Sequence, residues 1–273
     1  VSERGGQSIG VFDSGIGGLS VLKALRADMP HENFIYIADS GHAPYGERDT
    51  AHVLARSRAI AQYLVSHNVK ALVIACNTAT AAAIHLLRSE YPGLALIGVE
   101  PALKPAVALS STGRIGVFAT RSTLCSAKFQ ALLASQAANM TFVLQPCDGL
   151  AHAIERSAPT GDTAETIALC ARHISAAGLF GTENDQIDTL VLGCTHYPLA
   201  SEQLRALLGP GVRLLDNGEA VARQTRRRLP ACLRAANAPP GRVSLFTTGD
   251  PQPLQSAARR WLNLSASVDL LSI

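Results

Sequence analysis

Short apolar runs alternate with longer amphipathic stretches along this chain. The runs at 9–12, 34–38, 71–75, 95–99, 115–118, 142–144, 189–192, 212–215 and 243–246 are rich in Val, Ile, Leu and Phe. Being near-continuous rather than alternating, they read as strands covered on both faces. Helical spacing of apolar residues falls between them, at 19–27, 51–67, 79–89, 124–134, 163–177, 202–208 and 220–229. Strand followed by helix, repeated, predicts an α/β fold of mainly parallel sheets flanked by helices.

Two of the predicted strands have echoes. Ile9-Gly-Val-Phe12 recurs as Ile115-Gly-Val-Phe118, and Leu72-Val-Ile-Ala-Cys-Asn-Thr78 recurs as Leu190-Val-Leu-Gly-Cys-Thr-His196, in the same order. Duplication of one α/β unit follows. Each unit brings one cysteine, Cys76 or Cys194, to the carboxyl end of a parallel strand, where open α/β sheets bind ligands. Two such units face to face set both thiols on one cleft.

Composition narrows the function. The 273 residues are 47% hydrophobic and 16% charged, which excludes disorder and leaves ample core. Lys plus Arg number 24 against 21 Asp plus Glu, a net charge of +3. That balance argues against a nucleic-acid partner, and the basic run at 223–228 reads as a solvated helix face. No apolar stretch is long enough for a membrane span. Residues 1–8 carry no apolar core and are expected to be a frayed tail. Six cysteines without CxxC spacing read as reduced thiols of a cytoplasmic protein.

Most lone cysteines are small core residues, and that reading is kept for Cys125, Cys170 and Cys232. Cys147 is left open. Cys76 and Cys194 differ, because small polar residues follow each at a strand-to-helix turn, whose amides would lower the thiol pKa. Cys194-Thr-His196 holds two zinc-type ligands, but no second cluster completes a metal site. A Cys–His nucleophile built on Cys194 and His196 leaves Cys76 without a task. Pyridoxal phosphate needs a lysine, and the four lysines sit in no cluster of reactive residues.

The loop Asp13-Ser-Gly-Ile-Gly-Gly18 lacks the third glycine of a dinucleotide fingerprint. It reads as a nest of amides for a small carboxylate, or as a tight turn needing glycine at positive φ. Two opposed thiols without a cofactor suit inversion of a stereocentre, one sulfur removing a proton from one face while the other supplies it from the opposite face. Each sulfur must then lie near the reacting carbon, which sets the pair roughly 6–8 Å apart. Asp13 and His196 would tune the thiols. Ser14, Asn77, Thr78 and Thr195 would hold the substrate.

These residues bring a family into view. The chain resembles the glutamate racemases, cofactor-independent enzymes that supply D-glutamate for peptidoglycan. The resemblance rests on Phe12-Asp-Ser-Gly-Ile-Gly-Gly18, Ala43-Pro-Tyr-Gly46, Ile74-Ala-Cys-Asn-Thr-Ala-Thr80 and Gly98-Val-Glu-Pro-Ala-Leu-Lys-Pro105. It continues through Ala119-Thr120, Leu192-Gly-Cys-Thr-His-Tyr-Pro198, Asp216-Asn-Gly-Glu-Ala220 and Thr248-Gly-Asp-Pro251, nearly the whole chain. It implies Cys76 and Cys194 as the acid/base pair, with Asp13 beside the first and His196 and Glu155 beside the second. It also implies substrate contacts from Asp13, Ser14, Tyr45, Gly46, Asn77, Thr78, Thr120, Thr195 and His196.

By the same resemblance, residues 1–98 with 215–273 form one domain, carrying Asp13 and Cys76. Residues 99–214 form the other, carrying Cys194 and His196, and the active site lies in the cleft between them. A homodimer is implied, without cofactor or metal. Glu100 stands where many members have an apolar residue, in the hinge region. Two alternatives are kept: racemisation of aspartate or another acidic amino acid, and a regulatory protein that binds DNA gyrase.

Overall fold

The computed structural model describes residues 7–136, 140–235 and 239–273. Residues 1–6 of the expected tail lie outside the described residues. The first sheet is built from β1 (Ile9–Asp13), β2 (Phe34–Ala38), β3 (Ala71–Ile74), β4 (Ala95–Gly98), β9 (Val243–Thr247) and β10 (Val268–Leu270), in the order β10-β9-β2-β1-β3-β4. The second contains β5 (Arg114–Ala119), β6 (Thr141–Pro146), β7 (Thr189–Leu192) and β8 (Arg213–Leu215), in the order β6-β5-β7-β8. Every strand pair in both sheets is parallel.

The helices are α1 (Leu19–Asp28), α2 (Thr50–Ser66), α3 (Asn77–Glu90), α4 (Leu103–Leu109), α5 (Arg121–Cys125) and α6 (Ala127–Ala134). They continue as α7 (Leu150–Thr160), α8 (Ala164–Ala177), α9 (Ser201–Leu208), α10 (Gly218–Arg228) and α11 (Pro251–Leu262). Each sheet is sandwiched, so the core divides into four apolar clusters, two per sheet. Ile9, Val11 and Val73 face one way on the first sheet, with Phe12, Leu72 and Ile74 on the other side. That two-sided burial is why the strand sequences do not alternate. Among the described residues no helix is long and apolar enough to cross a membrane.

The repeat is visible in register. Strand order β2-β1-β3-β4 matches β6-β5-β7-β8. Ile9 pairs with Ala71 and Phe34 in the first sheet, as Ile115 pairs with Thr189 and Phe142 in the second. The spacings that relate the two sequence echoes therefore also relate the two ladders, residue for residue. Cys76 and Cys194 are equivalent positions, each two residues past its strand.

Three local expectations change. The helix expected over 124–134 is two helices, because Ser126 ends α5 and its hydroxyl caps α6 by accepting the Phe129 N–H at 3.1 Å. Cys125 and Cys232 are exposed, not core residues, whereas Cys170 is buried. Both exposed cysteines sit in short elements, Arg121–Cys125 and Ala231–Leu233. The arginines of the 223–228 run are exposed on α10, whose other face packs through Val221, Ala222 and Thr225.

Candidate active site

Strands β1 and β3 run parallel in the first sheet, as β5 and β7 do in the second, and the loops after all four meet at one place. A cavity of about 60 Å³ lies there. Both Cys76 and Cys194 line it, 5% and 7% exposed. A space of this size restricts any occupant to a small molecule and excludes a nucleotide. Ser14, Tyr45, Gly46, Asn77, Thr78, Thr120, Glu155, Thr195 and His196 also form its wall.

The two sulfurs have different helpers. Cys76 caps α3, accepting the Ala79 N–H at 3.4 Å, and the Asp13 carboxyl lies close enough to act on its charge. The turn was expected to lower this thiol's pKa. Instead, burial pushes it well above the usual thiol value, the Asp13 charge adds to the rise, and the Ala79 amide offsets only part. Burial also holds the Asp13 carboxyl above the ordinary carboxylate range, despite the opposing pull of His196.

On the other wall, the Cys194 sulfur lies 3.7 Å from His196 Nδ1, and His196 Nε2 lies 2.7 Å from Glu155 Oε1. Burial alone would lower the imidazole pKa. The bonds to Cys194 and Glu155 outweigh it and hold His196 well above its usual value. A charged imidazole between a sulfur and a carboxylate is thus favoured there. The repeat puts Ala119 where the first unit has Asp13, and Thr78 where the second has His196. The duplicated thiols are alike; their proton partners have diverged.

The glycine-rich loop departs from both expectations for it. Its amides already hold the protein's own carboxylates: Asp13 accepts from Ser14 N at 2.7 Å and from Gly18 N, and Glu155 accepts from Ile16 N at 2.7 Å. Gly15, Gly17 and Gly18 do not have positive φ. All three are needed for space, Gly18 because a Cβ there would stand 2.7 Å from Asp13 Cβ. A Cβ on Gly15 would stand 1.9 Å from Glu155 Oε1, and one on Gly17 would stand 2.3 Å from His196 Nδ1. Glycine here lets two side chains of the second unit reach the first.

Asp13, expected beside Cys76 and in contact with substrate, is wholly buried and lies behind the lining of the cavity. The Tyr45 hydroxyl is turned away and donates to Asp39 at 2.5 Å, leaving the ring and backbone to face the cavity. Asn77 fits its expected role best: its amide nitrogen and oxygen are both buried without a protein partner. Thr123 went unnoticed in the sequence. It lines the cavity, 2.9 Å from the Thr120 hydroxyl, and its spacing of three from Thr120 at a helix start was the available signal. Cys147, left open before, is a third thiol in the wall, and burial pushes its pKa up.

Known proteins share this chain's sequence pattern and fold. The family model described as Asp/Glu/Hydantoin racemase matches residues 19–225. This chain belongs to that racemase family. Across 261 residues it is 43% identical to a glutamate racemase of Ectopseudomonas mendocina, covering 95% of this chain and 96% of that one. A glutamate racemase of Bacillus anthracis superposes with a TM-score of 0.85 at 31% identity, covering 98% of both chains. The Escherichia coli glutamate racemase, solved with L-glutamate and the activator UDP-MurNAc-ala, gives 0.84 at 28% identity over 98% of this chain and 99% of that one. Membership in the racemase family makes this chain an isomerase, with a cavity that takes a small molecule.

Proposed function

We propose that this chain interconverts L- and D-glutamate by two-base proton transfer, supplying D-glutamate for peptidoglycan. The observation that carries the reading is the pair of register-equivalent cysteines on one small cavity. In one direction a Cys194 thiolate takes the Cα proton, its negative charge balanced by the His196 imidazolium. The Cα–H electron pair passes to the substrate's planar carbanionic form, and the Cys76 thiol returns a proton to the opposite face. Thiol and thiolate have then exchanged sides, and Asp13 serves Cys76 in the reverse direction. Asn77, Thr78, Thr120 and Thr195 hold the substrate's polar groups, with Ser14, Tyr45 and Gly46 closing the cavity.

Two domains go with this reading: residues 1–98 with 215–273 about the first sheet, and 99–214 about the second, with Leu215 completing β8. The cytoplasm is the proposed location and a homodimer the proposed assembly, the latter checked by sedimentation. Glutamate is preferred over aspartate on the strength of the curated relatives named above.

The test is incubation with each enantiomer of glutamate, and separately of aspartate, in D₂O. Deuterium at Cα with loss of optical rotation is expected for glutamate. Faster exchange with aspartate reassigns the substrate, and exchange with neither overturns the activity. Cys76→Ser and Cys194→Ser should each abolish full turnover; near-normal racemisation by either removes that cysteine from the mechanism. Inhibition of gyrase supercoiling by the doubly substituted, inactive chain would favour the gyrase-binding alternative.

A further inference from the structure

The cavity wall at Tyr45 is held from outside the cavity. Asp39 follows β2, is wholly buried, and lies outside the cavity lining. It accepts a two-pronged pair from Arg56 of α2, Nε at 3.0 Å and Nη2 at 2.9 Å. It also accepts from the Tyr45 hydroxyl at 2.5 Å and the Thr248 hydroxyl at 2.8 Å, with His42 Nδ1 at 3.2 Å. Burial works against its charge, but these donors outweigh it and hold the carboxyl below its usual range. One carboxylate therefore joins the end of β2, the end of β9, α2 and the turn that carries Tyr45 and Gly46.

That turn is also where the two units meet. A Cβ at Gly46 would lie 3.0 Å from both Cβ and Cγ2 of Thr120, so the two residues pack directly against each other in the cavity wall. The position of the turn therefore fixes the distance between the Gly46 backbone and the Thr120 hydroxyl. Tyr45 is 1% exposed, and its hydroxyl is its only polar atom beyond the backbone. Its ring packs in an apolar cluster of the first sheet, and its hydroxyl bond to Asp39 ties the turn to the end of β2. The pair is charge-assisted and buried, the class of hydrogen bond with the most to lose when cut.

We infer that Asp39, clamped by Arg56, is a positioning residue for substrate affinity: through the Tyr45 hydroxyl it holds Gly46 against Thr120 in the cavity wall. It touches neither sulfur. Loosening it should therefore weaken substrate binding and leave the proton transfers largely intact. The inference rests on the glutamate reading above and adds to it a determinant of KM remote from the thiols.

The experiment measures kcat and KM for both enantiomers of glutamate, with thermal melting of each variant. Tyr45→Phe keeps the ring and removes the bond; it should raise KM about tenfold while kcat changes less than threefold. Asp39→Asn should do the same or more, and Arg56→Lys, which keeps the charge but not the two-pronged geometry, should fall between it and the wild type. Arg58→Ala, on the same helix as Arg56, cuts a surface pair with Glu90 of α3; it is the control and should leave KM unmoved. If Asp39→Asn does not fold, Tyr45→Phe carries the test alone. Folded Tyr45→Phe with unchanged KM, or with kcat falling as much as KM rises, overturns the inference. Wild-type protein that exchanges no Cα proton of glutamate overturns the proposed function instead.

Discussion

Carboxylates that reach across the cleft make the sharpest predictions. Glu155 holds His196 and the Ile16 amide with one oxygen. Replacing it by Gln removes the negative charge that helps keep the imidazole protonated. The His196 titration, followed by ring NMR, should move down toward neutral in Glu155→Gln, with activity reduced at least tenfold. An unmoved titration would show that the sulfur alone holds the charge. Gly15→Ala offers an independent route to the same state, because its Cβ would collide with the mobile end of Glu155 and not with backbone. The fold should survive and activity fall. Gly15→Ala added to Glu155→Ala should cost little more, since both changes remove one interaction. The cysteines were legible in the sequence because duplication marked them twice. What stayed hidden was which groups fill the glycine-rich loop: a nest of amides reads alike whether a substrate or an internal carboxylate occupies it, and the occupant, Glu155, lies 139 residues away.

At the level of elements, the repeated strands were readable and three helices were not. Helices α4, α7 and α11 each contain proline, which sequence reading treats as a break. In α4 and α11, Pro105, Pro251 and Pro253 lie in the first turn, where a missing N–H costs nothing. In α7, Pro159 is the last residue but one, just before Gly161 ends the helix at φ 75°. Strand β10 is three residues long at a sheet edge, too short for any periodicity to show. The junction between α4 and β5 depends on a single side chain. Asp188, 1% exposed, accepts from the Ser110 hydroxyl at 2.7 Å, the Ser111 amide at 2.6 Å, the Thr112 amide at 3.1 Å and the Thr189 hydroxyl at 2.9 Å. Asp188→Ala leaves these donors without their acceptor and should cost about 2–3 kcal/mol in denaturant unfolding. A loss below about 0.5 kcal/mol would mean that water replaces the carboxylate at no cost.

For the whole molecule, the buried charges pull stability in opposite directions with pH. Asp39 and Asp188 have carboxyls held below the usual range: burial opposes their charge, and the donors around them outweigh it. Their contribution is present above the ordinary carboxylate value and is lost as pH falls through the depressed folded values. His196 is the reverse case. Burial disfavours its charge, yet Cys194 and Glu155 raise its pKa, so its contribution is complete below about 6.5 and disappears as pH rises through the raised folded value. Asp13, raised by burial, likewise favours the fold only when protonated, and at neutral pH it is a cost retained at the catalytic cavity. Thermal midpoints should therefore decline on both flanks of a broad maximum, and substitutions should separate the two flanks. Asp188→Ala should flatten the acid decline and leave the alkaline one alone. Glu155→Gln should move the alkaline decline to lower pH and leave the acid one nearly unchanged. An alkaline flank that ignores Glu155 would trace that loss to the buried thiols of Cys76, Cys147 and Cys170 rather than to the His196 imidazole.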